Sequence, residues 1–152
     1  MVIVRTKNTH EDFRRLTAAL DAELRARYGA AQAEYDKHNR IAPIDTAVIG
    51  YVDGEPAACG CFKVMDVETV EMKRMFVAEG QRRKGHGRAA VQALEEWAAE
   101  LGFTRAVLET GKGQPEAIGL YRGMGYEVTE NYGPYVGLEH SVCMKKRLSP
   151  KA

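Results

Sequence analysis

The chain lacks most of what would set it apart from an ordinary soluble globular protein. It contains no apolar run approaching the roughly 18 residues that a membrane-crossing helix needs. The opening stretch Met1-Val-Ile-Val-Arg5 is too short for a signal peptide and lacks its apolar core. These two absences predict a cytoplasmic protein with no membrane partner. The formal net charge is only +1, so no overall basic field argues for nucleic acid, and any anion site has to come from local clustering. The three cysteines, Cys59, Cys61 and Cys143, are an odd number without metal-ligand spacing. Cys59 and Cys61 are two apart, which on a strand puts them on one face, and they read as reduced, buried side chains. His10, His38, His86 and His140 are scattered, and none pairs at i, i+4 as a helical metal site requires. No metal is expected.

What is present fits a single domain over 1–152, long enough to bury a core without staples. Val2 to Arg5 reads as a first strand. Thr9-x-x-Asp12 looks like a helix start, and Phe13, Leu16, Leu20 and Leu24 recur at helical spacing as far as Tyr28, where Gly29 interrupts. A second, more polar helix is expected over 30–39, and Pro43 marks the way out. The period then changes. Thr46 to Val52 and Ala57 to Val64 flank Asp53-Gly54, a hairpin turn signal. Glu68 to Ala78 forms a third strand, but its apolar positions Val70, Met72, Met75 and Val77 break the period of two between Met72 and Met75. One extra residue there is either a β-bulge or an irregular strand end. Gly85 to Leu101 carries an apolar helical stripe closed by Gly102. A buried strand over Thr104 to Glu109 follows, then a short helix from Pro115 through Tyr121 and Arg122. Strands from Gly125 and His140 complete the chain. The order β, α-α, β-β-β, α, β, α, β, β predicts one mixed α/β sheet, mostly antiparallel and flanked by helices.

Between the third strand and the long helix lies Glu79-Gly-Gln-Arg-Arg-Lys-Gly-His-Gly-Arg88. Two glycines one residue apart let the backbone turn tightly and approach a ligand, and free amides at the next helix start attract an anion. Arg82, Arg83, Lys84 and Arg88 add charge that the rest of the chain lacks. Cations at a helix N-terminus oppose the helix dipole, so a polyphosphate is the natural occupant. Gly85-x-Gly87-x-x-Ala90 also satisfies a dinucleotide fingerprint, with Glu109 near the distance of a ribose-binding acid. Against it stand the long basic loop before the first glycine, the strand meander upstream, and too little chain downstream for a doubly wound sheet.

Arg82-Arg-Lys-Gly85-His-Gly87, following Phe76-Val77, resembles the Gln/Arg-x-x-Gly-x-Gly/Ala signature of the GCN5-related N-acetyltransferase (GNAT) family. Ala117-Ile-Gly-Leu-Tyr121-Arg-Gly-Met-Gly-Tyr126 is similar to that family's closing helix and strand start. The resemblance implies the acyl-CoA N-acyltransferase (GNAT) fold and direct transfer of an acetyl group from acetyl-CoA to an amine. It implies that backbone groups of Met75, Phe76 and Val77 bind the pantetheine arm. By the same resemblance, Arg83, Lys84, Gly85, His86, Gly87 and Arg88 cradle the pyrophosphate, while Arg82 or Lys84 reaches the adenosine phosphates. Gln114 stands where the family often has Asn, leaving an amide for the cofactor arm. Tyr121 falls on the position of the family's general acid. The base is Glu71, Glu68 or water. The acceptor pocket is expected from Asp21, Glu23, Arg25, Tyr28, Tyr35 and the loop Asn131-Tyr-Gly-Pro-Tyr135. Lys73 and Arg74 are expected to pair with a carboxylate on the acceptor, which points to an amino acid-like amine or a peptide. A regulatory module that binds acyl-CoA without chemistry is the competing class. The sequence is silent on oligomeric state, although homodimers built through the terminal strands are frequent in that family.

Overall fold

The structure, a computed structural model, describes residues 1–29 and 42–149. Its elements are β1 (Val2–Thr6), α1 (Glu11–Tyr28), β2 (Ala47–Val52), β3 (Glu55–Val64), β4 (Thr69–Val77), α2 (His86–Glu100), β5 (Arg105–Gly111), α3 (Pro115–Gly123), β6 (Glu127–Thr129) and β7 (Ser141–Arg147). The second helix expected over 30–39, and with it Tyr35, lies outside the described residues. The seven strands form one sheet in the order β1-β2-β3-β4-β5-β7-β6. Among the described residues only β4 and β5 run parallel, because a helix crossover joins them, whereas turns join the meander before it. Asp53 and Gly54 both have positive φ, 50° and 80°, the backbone a tight two-residue hairpin demands.

Helix α1 starts one residue later than the Thr9 signal suggests. His10 is the cap, its Nδ1 accepting from the Asp12 amide at 3.0 Å, with Glu11 and Asp12 in the first turn, where the helix dipole favours acids. It lays Phe13 and Leu16 on one face of the sheet, against Ile49, Cys59, Cys61 and Phe76. On the opposite face Val91, Leu94 and Ala98 of α2, with Tyr121 of α3, pack on Phe62, Val70, Met72 and Leu108. Among the described residues no helix is long and apolar enough to cross a membrane.

The broken period in β4 is a bulge. Cys59 pairs with Phe76 and Cys61 with Lys73, so a step of two residues on β3 meets a step of three on β4. Arg74 takes up the difference at φ 60°. The extra residue inverts the facing of the strand. Before it, Val70 and Met72 face α2; after it, Phe76 faces α1 while Met75 returns to the α2 side. Gly60 makes room there, since a Cβ would stand 2.2 Å from the Met75 sulfur. Arg74 is pinned to α1 through Asp21 Oδ1 at 2.8 Å and the Thr17 carbonyl at 3.1 Å. The thiols of Cys59 and Cys61 donate to the carbonyls of Arg74 and Lys73 at 3.6 and 3.5 Å.

All three cysteines are free and buried. Burial pushes the Cys61 thiol up to about 12 and Cys143 up to about 11, so neither forms the reactive thiolate near neutrality. Native protein should therefore react negligibly with a disulfide reagent at pH 8, and titrate three thiols once unfolded. Fast labelling of the native state would contradict this packing. Asp21→Ala, which leaves the buried Arg74 guanidinium short of its carboxylate, should cost about 1–3 kcal/mol, read as a lower urea midpoint.

Candidate active site

Strands β4 and β5 pair only over Thr69–Met72 and Arg105–Leu108. Beyond Met72, the bulge carries β4 away while β5 continues with β7. The gap opens a cavity of about 120 Å³, lined by Tyr28, Glu71, Lys73, Glu109, Gln114 and Tyr121 among others. That space suits the reacting ends of two molecules rather than a whole cofactor. Among the described residues no cluster of His, Cys, Asp and Glu could hold a metal.

Glu71 and Lys73 are alternate residues of β4 and project together toward the α1 side. Glu71 is buried, 5% exposed. Tyr132 donates to its Oε2 at 2.6 Å, and Lys73 reaches its Oε1 at 3.4 Å and the Tyr135 hydroxyl at 3.4 Å. Both tyrosines come from the β6–β7 loop, folded by Asn131, whose amide donates to the carbonyls of Tyr135 and Leu138. Burial first, and the Glu71 charge second, push the Tyr132 and Tyr135 hydroxyls far above the ordinary tyrosine range. Glu68 does not join this group. It is exposed at the other end of β4, with Thr104 and Arg105 in a separate depression.

Sequence reasoning weighed Glu109 only as a ribose-binding acid and missed it as a cavity residue. It stands on β5 across the gap from β4. Its Oε2 accepts from Ser141 Oγ at 2.8 Å, and its other oxygen has no hydrogen bond among the described residues. Burial raises its pKa above the usual carboxylate value, against the lowering effects of Ser141 and Lys73. The period-two pattern of β5 puts Glu109 on the same face as Glu71, opposite Leu108, and that alternation was the available signal. The two cations read as carboxylate binders are already paired, Lys73 with Glu71 and Arg74 with Asp21.

Tyr121 is buried on the other wall, its ring 5.7 Å from that of Tyr126, and burial raises its hydroxyl above the ordinary tyrosine range. Tyr28, the last residue of α1, presents a buried hydroxyl with no hydrogen-bond partner among the described residues, a situation that costs about 1–3 kcal/mol. Gln114 occupies the N-cap of α3 but makes no capping bond.

At the open end of the gap, Phe76 and Val77 pair with β3, Met75 lies in the bulge, and none of the three pairs with β5. Gly85 caps α2 at φ 81°, and no side chain caps its first amides. A Cβ on Gly87 would meet Val77 at 3.3 Å and Leu120 at 3.4 Å, so glycine seats the helix start against β4. Arg83, Lys84 and Arg88 are exposed around these amides, with His86 half-buried. Arg82 turns away from them. It pairs with Glu23 of α1, donates to the Val77 carbonyl at 3.0 Å and stacks over Phe76. Arg25 is exposed on α1.

Residues 11–126 match the acetyltransferase (GNAT) family. The Xenopus tropicalis protein named "Probable N-acetyltransferase 14" is 40% identical over 74 residues, covering 47% of this chain and 36% of that protein. "Uncharacterized N-acetyltransferase YsnE" of Bacillus subtilis (strain 168) is 33% identical over 96 residues, 62% of this chain and 64% of that one. The chain thus spans less than two thirds of the length of either relative. A solved structure from Klebsiella pneumoniae, described as a candidate acyl-CoA N-acyltransferase, superposes with a TM-score of 0.80 at 29% identity over 97% of both chains. With the family matched from α1 through α3, and with a mixed seven-stranded sheet that superposes over nearly its whole length, the chain belongs to the GNAT family and has its fold.

Proposed function

We propose that the protein is an acetyl-CoA-dependent N-acetyltransferase acting on a primary amine of a small, amino acid-like molecule or of a peptide. The supporting observation is the gap between β4 and β5, whose cavity holds two carboxylates and a buried tyrosine, with the uncapped start of α2 seated against Val77 at the outer end of β4. The outer end fits the donor. The α2 amides from His86 to Arg88 suit a pyrophosphate, with Arg83 and Lys84 beside them. The unpaired strand edge at Met75 suits an amide-bearing arm. Arg82 serves as the brace between this loop and α1, while Gln114 is free to contact the arm from α3.

Acetyl-CoA supplies an activated thioester; the chain supplies position and proton traffic. Transfer requires a neutral amine and a proton for the departing sulfur. Tyr121, kept protonated by burial, is assigned as the acid. Glu71 was the carboxylate expected as base, yet each of its oxygens already receives a protein donor. The free oxygen and raised pKa of Glu109 favour it as the proton acceptor. Glu71 then fixes Lys73 and Tyr132 and lends negative charge to the wall that receives a cationic amine. An acyl-CoA sensor without chemistry would share the outer end but has no use for the inner one.

A carboxylate whose pKa is raised loses its charged, proton-accepting form as pH falls through that raised value. The kcat/KM profile should therefore show an acid limb above the ordinary carboxylate range. Tyr28, Glu71, Lys73, Tyr121, Tyr135 and His140 share the cavity with this group, so the limb has to be assigned by mutation. Glu109→Gln should abolish it and slow turnover by about 10²–10⁴. If Glu71→Gln does so instead, the base is Glu71. Tyr121→Phe should lose turnover while still binding acetyl-CoA, and a variant as active as the native chain would remove Tyr121 from the chemistry. Acetyl-CoA and CoA, but not NAD, should raise Tm, and Arg83→Ala with Lys84→Ala should weaken that shift. A shift with NAD alone would overturn the reading.

A further inference from the structure

Tyr28 ends α1 with its hydroxyl laid over the end of β5. A Cβ on Gly111 would stand 2.2 Å from that hydroxyl oxygen, and one on Gly113 would stand 2.9 Å away. Neither glycine has a left-handed φ, so room for the tyrosine, not backbone freedom, is what calls for glycine at both positions. Arg27 strengthens the placement by donating to the Gly113 carbonyl at 3.4 Å. The Gln114 amide nitrogen lies 3.5 Å from the same Cβ point on Gly111. Two polar groups thus converge on one spot without bonding each other, and the tyrosine oxygen is buried with no partner among the described residues. A phenol both donates and accepts, and a buried one left unpaired is costly unless a ligand completes it.

Gly111 and Glu109 are alternate residues of β5, so they face the same way with Cα atoms roughly 7 Å apart. An amine held at Glu109 therefore belongs to a molecule that can extend one strand step toward the Tyr28 hydroxyl. We propose that Tyr28 is a specificity-determining residue that hydrogen-bonds the acceptor, and that the acceptor carries a carbonyl, carboxylate or hydroxyl oxygen a few bonds from its amine. The proposal rests on the acetyltransferase reading and narrows it to amines with a neighbouring oxygen, the pattern of an amino acid derivative or a peptide N-terminus.

The test compares two acceptors of equal heavy-atom number, glycinamide and isobutylamine, with native protein and Tyr28→Phe. The glycinamide-to-isobutylamine ratio of kcat/KM should fall about three- to tenfold in Tyr28→Phe, the size of one neutral hydrogen bond. The change should fall on the acceptor KM, with kcat and the acetyl-CoA KM within about twofold. Tyr28→Phe should also be at least as stable as the native chain, because it removes an unpaired hydroxyl. Gly111→Ala, which displaces the ring, should shift the ratio the same way. An unchanged ratio overturns the proposal, as does a change confined to the acetyl-CoA KM, or native protein that acetylates isobutylamine but not glycinamide. Native protein that binds acetyl-CoA yet acetylates no amine fails differently, because it removes the transferase reading itself.

Discussion

A non-glycine residue with left-handed backbone in mid-strand costs about 1–3 kcal/mol and persists only where its surroundings over-determine it. Arg74 is so surrounded. Its guanidinium is tied to Asp21 and to the Thr17 carbonyl of α1, while two buried thiols of β3 hold the carbonyls on either side of its peptide unit. The gap between β4 and β5, the cavity within it and the side chains that line it all follow from the chain staying in that conformation. Cys59 and Cys61 therefore matter as hydrogen-bond donors and packing atoms, not as nucleophiles.

The electrostatics of the cavity come from the same ties. Arg74 spends its charge on Asp21, and Lys73 is shared between Glu71 and the Tyr135 hydroxyl. Glu109 is left as the carboxylate with an oxygen to spare. A wall arranged this way receives a cation more readily than an anion, which suits an amine arriving from water in its protonated form. Among the described residues it does not offer the free lysine and arginine that a carboxylate-first mode of recognition would use, so on the proposed reading a neighbouring oxygen on the acceptor is better met by a neutral hydroxyl.

Much of this was legible in the chain. The step from Met72 to Met75 left a bulge and an irregular strand end equally open, and the strand register decides for the bulge, which puts both methionines on the α2 side. The glycine loop announced the uncapped helix start, and the closing motif singled out Tyr121, which lines the cavity. What escaped was set by partners distant in sequence. Arg82 meets Glu23 across 59 positions and Arg74 meets Asp21 across 53, and local composition carries no trace of such pairs. Glu109 was visible as a strand residue, but its free oxygen depends on Ser141 taking the other one. The unpaired state of Tyr28 depends on two glycines lying beneath it, a matter of tertiary contact alone.

Because β4 changes face at Arg74, its two halves answer to different neighbours. Positions 71 and 73 belong to the α1 side and the β6–β7 loop, while positions 75 and 77 belong to α2 and its glycine-bounded start. A single strand therefore lets the wall proposed for the acceptor diverge without disturbing the edge proposed for the donor. On the proposed reading, libraries at 71, 73, 132 and 135 should change acceptor preference at little cost to acetyl-CoA binding in laboratory evolution. A one-residue deletion at the bulge would exchange the two faces and lose both.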